Sequence, residues 1–573
     1  MDLTEALQTL HTPVPGGASP FRLFLACGFM PLHLATFLRA HLRRLLPGRD
    51  ISVAAGVYGD TVGNIRRGGD ADAAVVALEW ADLDPRLGIR RLGGWGPSVH
   101  AEILESVRTN LQAISDAVST SGAPLVCVSL PTLPLPPTGV TPGWRAGPFE
   151  LKIRHMVATF ADCMGALSHV RVLDTQRLDA SSAPGNRFDV NSEILTGFPY
   201  TISHASALGA LLARLLAGPA PKKGIITDLD DTLWLGIVGE AGADGVFWDL
   251  DHHAHIHGLY QQFLSALAEG GVLVGVASKN APSVIDEVFR RKDLLLGRDR
   301  VWPIEVTWGP KSESVRRILK AWNIAPDAVV FVDDSPMELA EVCGAYPEIE
   351  TRLFPKNDYA AVYQLLQDLR DQFGKGSVGR EDSLRSNSLR AAQEWHAQAE
   401  NGVQGLDSLL RAASARLSLD FRIPPESRAL ELINKTNQFN LNGRRFTDAE
   451  WQNEVRQHGA AALVAGYEDK FGPLGKILAL VGTLSNRTLS VRAFVLSCRA
   501  FSRRIEHQCL QELFRRYELE EIVFDYVETP RNGPVREFLT ALVGKPPGPG
   551  VRLGRDEFGA ACPALFAETE IQE

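Results

Sequence analysis

Uninterrupted apolar runs alternate with amphipathic stretches through much of the chain. In the N-terminal part, apolar runs lie at 21–27, 72–78, 124–130 and 170–174, and helical stretches lie near 32–46, 99–119, 150–167 and 203–217. Strands that are apolar along their whole length are typical of a parallel sheet with helices on both faces. The pattern predicts an α/β domain that ends where Pro and Gly residues interrupt the chain at 218–223.

The same alternation begins again directly after this boundary. Predicted strands lie at 224–228, 272–278, 303–307 and 328–333, with helices at about 254–270, 281–291 and 311–322. A polar, Gly/Ser-rich stretch at 373–389 is suited to a linker, and beyond it helices mix with strands at 416–422, 475–483, 487–497 and 521–527. We therefore predict a multidomain α/β protein, divided into 1–219, 220–372, a linker and helix at 373–412, and 413–573.

Length and composition agree with several globular domains. The chain has 573 residues, too many for one core, of which 45% are hydrophobic and 22% charged. A net charge of −9 argues against a nucleic-acid-binding protein, which needs a basic face. The seven cysteines form no CxxC or zinc pattern, and neither a secretory signal nor a membrane-length apolar run is present, so we expect a cytoplasmic protein.

Two carboxylates stand at the end of the first strand of the second α/β domain. The apolar run 224–227 leads into Asp228, and Asp230 follows two residues later. The Asp228 carboxylate would attack phosphorus and form an acyl phosphate, and Asp230 would protonate the leaving group and then activate the acceptor. A dinucleotide-binding Rossmann domain is the nearest alternative, but no Gly-rich turn follows this strand.

Three further motifs in this domain carry groups suited to phosphoryl transfer. Ser278 ends the second strand, Lys311 begins a helix, and Asp333 and Asp334 end the fourth strand. Ser278 and Lys311, together with Thr232, are candidate phosphate-binding residues, because hydroxyl and ammonium groups can offset charge on a transferring phosphoryl group. Parallel sheets place their sites at the carboxyl ends of strands, so we expect these motifs to meet.

The same acids predict a magnesium site. Mg²⁺ prefers few carboxylates together with water and phosphate oxygens, and a cation lets a negative nucleophile approach a negative phosphate. The four motifs, in this order, resemble those of the haloacid dehalogenase (HAD) superfamily. We predict Asp228, Asp230 and Asp334 as ligands, with Asp333 as the competing choice. The resemblance implies that Asp230 binds the metal through its main-chain oxygen.

The spacing of these motifs predicts an open site. The segments that follow Thr232 and Ser278 are too short to hold a cap domain in addition to their own helices. A HAD site without a cap is exposed to solvent. It is suited either to a phosphate carried on a large molecule or to a lid supplied by another domain or partner.

Longer motifs resemble one HAD subfamily, the FkbH-like (HAD-IIIC) family. The similar segments are 229–240, 310–313 and 331–336, and further downstream 432–441, 444–447, 496–499 and 529–539. The resemblance implies a capless HAD domain followed by a GNAT-like α+β domain, with Mg²⁺ as cofactor. It also implies that a glyceryl group from 1,3-bisphosphoglycerate passes through an enzyme thioester to the phosphopantetheine thiol of an acyl carrier protein.

The implied reaction requires a thiol, and Cys498 is the candidate. Cys498 ends an apolar strand inside one of the similar motifs, beside Arg499, whose guanidinium would favour the thiolate. The alternative is an inert core cysteine. In the family a Gly-containing turn follows, whereas here Arg503 and Arg504 follow without a glycine, so close approach of the main chain to a phosphate is harder.

A run of amides lies in another of the similar motifs. Asn437, Gln438 and Asn440, with Arg499, are candidate residues for binding a glyceryl unit or pantetheine amides. The alternative is a helix end at which asparagine side chains cap main-chain groups. Both interpretations stay open.

The N-terminal domain resembles SGNH hydrolases more weakly. The expected nucleophilic serine is absent after the first strand, where Cys27 stands, and no Asp lies three residues before His204. We expect a non-hydrolytic docking or lid domain, with a Cys27–His204 pair as the alternative. His253 and His257 would share a helical face, but a solvated helix start is favoured over a zinc site.

Two other functions stay open. One is a phosphatase or phosphotransferase for another substrate, with the C-terminal domain used only in recognition. The other is an interaction scaffold that has lost its activity, against which the intact set of acids argues.

Overall fold

The computed structural model divides the chain into two compact units. The first unit comprises 1–219 with 447–452, and the second comprises 220–446 with 453–573. The structure describes residues 1–14, 16, 18–139, 141–218, 221–375, 406–422, 428–436, 438–446, 450–451, 454–455, 457–470 and 472–572. Within these ranges, no helix has the length and apolar character needed to cross a membrane.

The first unit contains a five-stranded parallel sheet in the order β2-β1-β3-β4-β5. Its strands are β1 (Ser19–Ala26), β2 (Arg49–Ala55), β3 (Ala73–Ala77), β4 (Val126–Ser129) and β5 (Val170–Val172). Its helices are α1 (Leu3–His11), α2 (Leu32–Leu45), α3 (Thr61–Arg67), α4 (Trp80–Leu83), α5 (His100–Ser119), α6 (Pro148–Gly165), α7 (Thr175–Ser181), α8 (Val190–Thr196) and α9 (Ile202–Ala217).

Both faces of this sheet are covered, which explains its continuous apolar strands. Every residue of β3 is buried, and alternate side chains enter different cores. Val75 packs with leucines of α2 and α9, whereas Val76 packs with apolar residues of α5 and α6.

The second unit begins with another five-stranded parallel sheet, in the order β10-β9-β6-β7-β8. Its strands are β6 (Gly224–Thr227), β7 (Leu273–Ser278), β8 (Val301–Val306), β9 (Val329–Asp333) and β10 (Glu350–Leu353). Its helices are α10 (Val238–Ala241), α11 (His255–Glu269), α12 (Pro282–Val288), α13 (Lys311–Trp322), α14 (Pro336–Ala345) and α15 (Tyr359–Phe373). We call this part the HAD-like lobe, after the superfamily that its sequence motifs resemble.

One helix packs very closely on this sheet because two strand residues lack side chains. A Cβ atom added to Gly224 or Gly275 would come within 2.6 or 2.8 Å of the Trp322 ring. Trp322 is fully buried, and its indole N–H donates to the main-chain oxygen of Trp302 at 2.7 Å. The close contact fixes α13 against β6 and β7, and thereby the position of Lys311 at its start.

The C-terminal lobe of the second unit is a mixed sheet in the order β17-β16-β15-β14-β13-β11-β18, with β12 paired to β15. Its strands are β11 (Arg416–Asp420), β12 (Phe439–Asn440), β13 (Ala460–Asp469), β14 (Gly472–Ser485), β15 (Thr488–Leu496), β16 (Glu521–Phe524), β17 (Val551–Gly554) and β18 (Glu568–Gln572). Its helices are α16 (Leu406–Ala412), α17 (Arg428–Lys435), α18 (Ile505–Arg516), α19 (Gly533–Val543) and α20 (Arg555–Ala561). The predicted fold class, a multidomain α/β protein with parallel sheets, is confirmed.

Candidate active site

Asp228 lies at the carboxyl end of β6, in the middle of the HAD-like sheet. Its main-chain N–H donates to the Val332 oxygen at 3.0 Å, which continues the pairing of β6 with β9. The carboxylate is buried, and the Lys311 ammonium lies 2.9 Å from its Oδ1 atom. A buried charge needs such a partner, so the lysine and the carboxylate stabilise each other.

Lys311 also contacts Asp333, so one ammonium serves two buried carboxylates. Its Nζ atom lies 2.5 Å from Asp333 Oδ2, and the other oxygen of Asp333 accepts the Ser335 N–H at 2.8 Å. Burial raises the pKa of Asp228, Lys311 opposes this shift, and the negative Asp333 adds to it. Burial alone would lower the pKa of Lys311, but the two carboxylates raise it.

Helix α14 holds the start of α13 in place. The carboxylate of Glu341 accepts the main-chain N–H groups of Lys311 at 3.0 Å and Ser312 at 3.2 Å. These are two of the donors that a helix leaves unpaired at its first turn, and an acid there is also favoured by the helix dipole. Glu341 therefore fixes the main chain from which Lys311 extends.

Three carboxylates at this edge could hold a metal ion. Asp228, Asp333 and Asp334 each offer an oxygen, and these atoms lie within 4.8 Å of one another. Both oxygens of Asp333 are engaged, whereas the hydrogen bond from Lys356 to Asp334 involves only Oδ2. A hard divalent cation fits this all-oxygen set, with Asp228 and Asp334 the better placed ligands.

Asp230 has surroundings different from those of Asp228. Its carboxylate accepts hydrogen bonds from Trp234 Nε1 at 2.8 Å, the Val238 N–H at 3.2 Å and Asn280 Nδ2 at 3.0 Å. Asn280 also donates to Ser278 Oγ at 3.1 Å. The amide of Asn280 therefore links the end of β7 to the second acid, a contact that the sequence alone did not indicate.

A tight turn follows directly after the second acid. Asp231 has a φ of 53°, in the left-handed region that Asp tolerates better than most residues. Its Oδ1 accepts the Gly236 N–H at 2.9 Å, and the Thr232 oxygen lies 2.9 Å from His257 Nδ1. His257 is buried, which lowers its pKa, so it supports this turn instead of beginning a solvated helix.

The hydroxyl of Thr232 is the one predicted phosphate-binding group with an unused buried atom. Thr232 is completely buried, and its Oγ1 has no hydrogen-bond partner among the described residues. A buried polar atom without a partner costs free energy. The Thr232 hydroxyl therefore has hydrogen-bonding capacity that is not used, and its role in phosphate binding stays a prediction.

Lys356 belongs to the same site, although sequence reasoning missed it. Its Nζ atom donates to Asp231 Oδ2 at 2.7 Å and to Asp334 Oδ2 at 2.8 Å. Lys356 follows the short strand β10, whose residues are not continuously apolar, so no strand was predicted there. Lys356 could have been found from its position just after a strand of the same parallel sheet, where such sheets place their functional residues.

Cys498 lies far from this group of residues. Its Sγ atom is 3.7 Å from the main-chain oxygen of Asn323, the residue that follows the last residue of α13. Lys311 begins α13, whose 12 residues correspond to about 18 Å of helix. Arg499 is buried and donates to the Lys476 oxygen at 3.2 Å. The structure does not bring Cys498 to Asp228.

The predicted amide residues have different places. Asn440 is buried, donates to the Thr436 oxygen at 3.0 Å and accepts the Gly443 N–H at 2.9 Å, which is the capping arrangement named as the alternative. Gln438 Nε2 donates to Asn323 Oδ1 at 2.8 Å. Asn437 lies outside the described residues. Substrate binding by Asn437, Gln438, Asn440 and Arg499 stays a prediction.

Two different strands, β16 and β12, pair with different parts of β15, and the chain itself bridges the place where they separate. Strand β16 pairs with β15 only over its first part, Thr488–Val491, and the short strand β12 pairs with Val495 and Leu496. Where the two neighbours separate, Asn442 Nδ2 donates to the oxygens of Arg492 and Asp525, both at 3.0 Å. Asparagine side chains thus replace missing ladder hydrogen bonds here.

Cys27 and His204 in the first unit each have other partners. The Cys27 thiol lies 3.3 Å from the Phe29 oxygen, and burial raises its pKa. The ring nitrogens of His204 lie 3.0 Å from the hydroxyls of Thr132 and Ser182. No contact in the described ranges joins the thiol to the imidazole.

Comparison with known proteins agrees with the α/β architecture. No protein-family model and no curated protein matches the sequence. The N-terminal part of BF1531 from Bacteroides fragilis, described as containing a phosphatase domain complexed with Mg, has a similar fold. Its TM-score is 0.51 at 16% identity, over 66% of this chain and 100% of that chain.

A second solved structure is only weakly similar. It is described as a GCN5-related glucosamine N-acetyltransferase region in a fungal multi-domain GH3 β-N-acetylglucosaminidase. With a TM-score of 0.16, 9% identity and coverage of 88% of this chain and 60% of that chain, it carries no weight for the C-terminal lobe.

Proposed function

We propose that the chain is a Mg²⁺-dependent phosphatase of the HAD type. The observation that carries this proposal is the position of Asp228, buried at the carboxyl end of a central parallel strand, 2.9 Å from Lys311 and beside Asp333 and Asp334. The magnesium and the phosphatase domain in the description of the Bacteroides fragilis structure support it.

The arrangement suits a two-step reaction. The Asp228 carboxylate forms a bond to phosphorus while the bond from phosphorus to the leaving oxygen breaks, and Asp230 donates a proton to that oxygen. Asp230 then takes a proton from water, which attacks the aspartyl phosphate and releases inorganic phosphate. Bound Mg²⁺ would supply positive charge beside the phosphoryl oxygens. Lys311 and the Thr232 hydroxyl would contact those oxygens from the protein side.

The substrate of this proposed activity is a phosphorylated three-carbon acid, 1,3-bisphosphoglycerate. The FkbH-like motifs support transfer of its glyceryl group through Cys498 to the phosphopantetheine thiol of an acyl carrier protein. Because Cys498 contacts the far end of α13, the glyceryl group cannot pass directly from the Asp228 site to the thiol in this arrangement. Transfer requires either that the substrate binds first at Asp228 and then at Cys498, or that the arrangement of the two lobes changes.

The second candidate is hydrolysis alone, with the C-terminal lobe serving recognition. The distance between Cys498 and the Asp228 site favours this candidate. The pairing of β12 with the end of β15 also favours it, because the chain itself occupies that edge of the strand. In that case Cys498 carries no acyl group.

Phosphate release and intact mass distinguish these reactions. Wild-type protein with Mg²⁺ and 1,3-bisphosphoglycerate should release phosphate, and Asp228→Asn should reduce release to the uncatalysed rate while the circular dichroism spectrum stays unchanged. A glyceryl adduct that is absent from Cys498→Ala supports transfer, and release without an adduct supports hydrolysis alone. Release that persists in Asp228→Asn contradicts the phosphatase proposal itself.

A further inference from the structure

Lys356 differs from the other site lysine in its exposure. Its side chain is 34% exposed, whereas that of Lys311 is 5% exposed. Both lysines contact acids of the site, and the acids that Lys356 contacts are Asp231 and Asp334. One cation is therefore enclosed with the nucleophile, and the other lies at the solvent side of the same acids.

The ammonium of Lys356 has a hydrogen-bond donor to spare. A protonated lysine carries three N–H donors, and the two carboxylates account for two of them. The third N–H lies on a group that is 34% exposed to solvent. It can donate to an anion that arrives from solvent without breaking either existing contact.

The main chain around Lys356 is held to the end of β9. The Phe354 N–H donates to the Asp333 oxygen at 2.8 Å, and the Phe354 ring packs against His257 and Tyr260 at centroid distances of 5.3 and 5.2 Å. The Lys356 N–H donates to the Phe354 oxygen at 2.9 Å. The ammonium therefore has a defined position relative to the acids, as a specificity group requires.

The ion pairs of Lys356 with Asp231 and Asp334 do not by themselves explain why a lysine lies at this position. A partly exposed ion pair contributes little stability, and a cation beside the candidate metal ligand Asp334 repels a divalent ion. Both costs are offset when an anionic ligand binds next to the ammonium. An anion there would be a short distance from Asp228, because Asp334 offers an oxygen within 4.8 Å of one on Asp228.

We propose that Lys356 binds a second anionic group, a carboxylate or a phosphate, of a short substrate whose transferring phosphoryl group lies at Asp228. This proposal rests on the proposed phosphatase function and concerns its substrate class. A compact phosphate ester with another negative group a few bonds away fits the arrangement. A phosphate ester without a second charge would leave the spare donor of Lys356 to water.

Two substrates with one carbon skeleton test this assignment. 3-Phosphoglycerate carries a carboxylate where glycerol 3-phosphate carries an alcohol. Lys356→Ala should lower kcat/KM for 3-phosphoglycerate by about 10-fold or more, mainly through KM, since a charge-assisted hydrogen bond is lost. It should change kcat/KM for glycerol 3-phosphate less than about 3-fold. Lys356→Arg should retain most of the preference.

Lys320→Ala provides a matched control, because it removes the same charge from an exposed side chain in the last turn of α13. It should leave both substrates unaffected. Mg²⁺ titrated calorimetrically into Lys356→Ala should bind at least as tightly as it does to wild type, because the ammonium that repels the ion beside Asp334 is gone. Equal losses on both substrates with weakened Mg²⁺ binding would overturn the proposal and make Lys356 a support for Asp334 only.

Calorimetric binding keeps this test separate from the test of the phosphatase function. 3-Phosphoglycerate with Mg²⁺ is titrated into Asp228→Asn and into Asp228→Asn/Lys356→Ala. Weaker binding to the double variant supports the role of Lys356 even if no phosphate ester is hydrolysed. Equal binding by the two variants overturns it even if the phosphatase activity is present.

Discussion

The Sγ atom of Cys498 lies 3.7 Å from the main-chain oxygen of Asn323, so the candidate acyl-holding thiol contacts the HAD-like lobe at the end of a helix. The other end of that helix begins with Lys311, which pairs with Asp228. The two candidate chemistries of the chain are thus about 18 Å apart, by the rise of a 12-residue helix. Phosphate removal and thiol chemistry are expected to be separable.

Replacement of Cys498 by alanine should therefore spare the first reaction. We expect the kcat for phosphate release by Cys498→Ala to stay within about 2-fold of wild type, since additive behaviour is normal for sites this far apart. A phosphate-release assay with purified protein checks this. A loss of 10-fold or more would mean that the thiol takes part in the phosphorus chemistry.

Removal of the Lys311 charge should destabilise the HAD-like lobe. Lys311→Met keeps most of the side-chain volume but leaves the buried carboxylates of Asp228 and Asp333 without their shared partner. Loss of one member of a buried ion cluster costs about 3–5 kcal/mol in the free energy of unfolding. Urea denaturation at pH 8 measures it, and Mg²⁺ should restore part of the loss.

Lys279→Ala is the control for this experiment. Lys279 is 38% exposed and pairs with Glu338 at 2.7 Å. Its removal should cost less than that of Lys311, about 1 kcal/mol, because the lysine itself lies partly in solvent although its partner Glu338 is only 12% exposed. Similar losses in both variants would show that the buried position of Lys311 confers no special stability.

The asparagines of the C-terminal lobe should matter for stability. Asn532 is buried, donates to the Val527 oxygen at 2.9 Å and accepts the Thr529 N–H at 2.9 Å, and Asn442 bridges β15 to Asp525. Asn532→Ala and Asn442→Ala should each cost about 1–3 kcal/mol, because main-chain groups lose their partners.

Thermal unfolding and phosphate release together check the role of these asparagines. The midpoint temperature should fall in both variants, while kcat for phosphate release below that temperature should stay unchanged. Unchanged stability with lower activity would instead indicate that Asn442 or Asn532 contacts substrate.

The first unit contains a buried acid whose protonation should be linked to stability. Glu79 accepts hydrogen bonds from the hydroxyls of Thr132 at 2.6 Å and Tyr200 at 2.8 Å. Burial raises the pKa of Glu79 from 4.5 to about 7. The folded form holds this proton more tightly than the unfolded form does. The contribution of protonated Glu79 to the free energy of unfolding is therefore complete below pH 4.5 and is lost as the pH rises through about 7. The loss amounts to about 3 kcal/mol.

A difference measurement isolates Glu79 from its neighbour His204. Burial lowers the pKa of His204 to about 3, so the contribution of His204 rises with pH and opposes that of Glu79. Relative to wild type, Glu79→Gln should gain stability between pH 4.5 and pH 8. Hydrogen exchange of the β3 amides reports this difference, and a difference that does not change with pH would contradict the assignment.

The sequence by itself determined the α/β class and the order of the candidate site motifs. Long apolar runs such as those of β6, β7 and β9 report burial on both faces of a sheet, and this is a local property of the chain. Because parallel strands end at one edge, the expected meeting of Asp228, Ser278 and Asp333 followed from the same pattern. Their chemical roles, and that of Cys498, stay predictions.

Only the tertiary structure decided which side chains touch. Lys356 follows a short strand with no fully buried residue, so no apolar run marked its place beside Asp334. The contact of Cys498 with Asn323 joins residues 175 positions apart, and it depends on how two lobes pack. Hydrogen bonds and ion pairs between distant segments leave no periodic signal in a sequence, because they depend on strand order and helix packing.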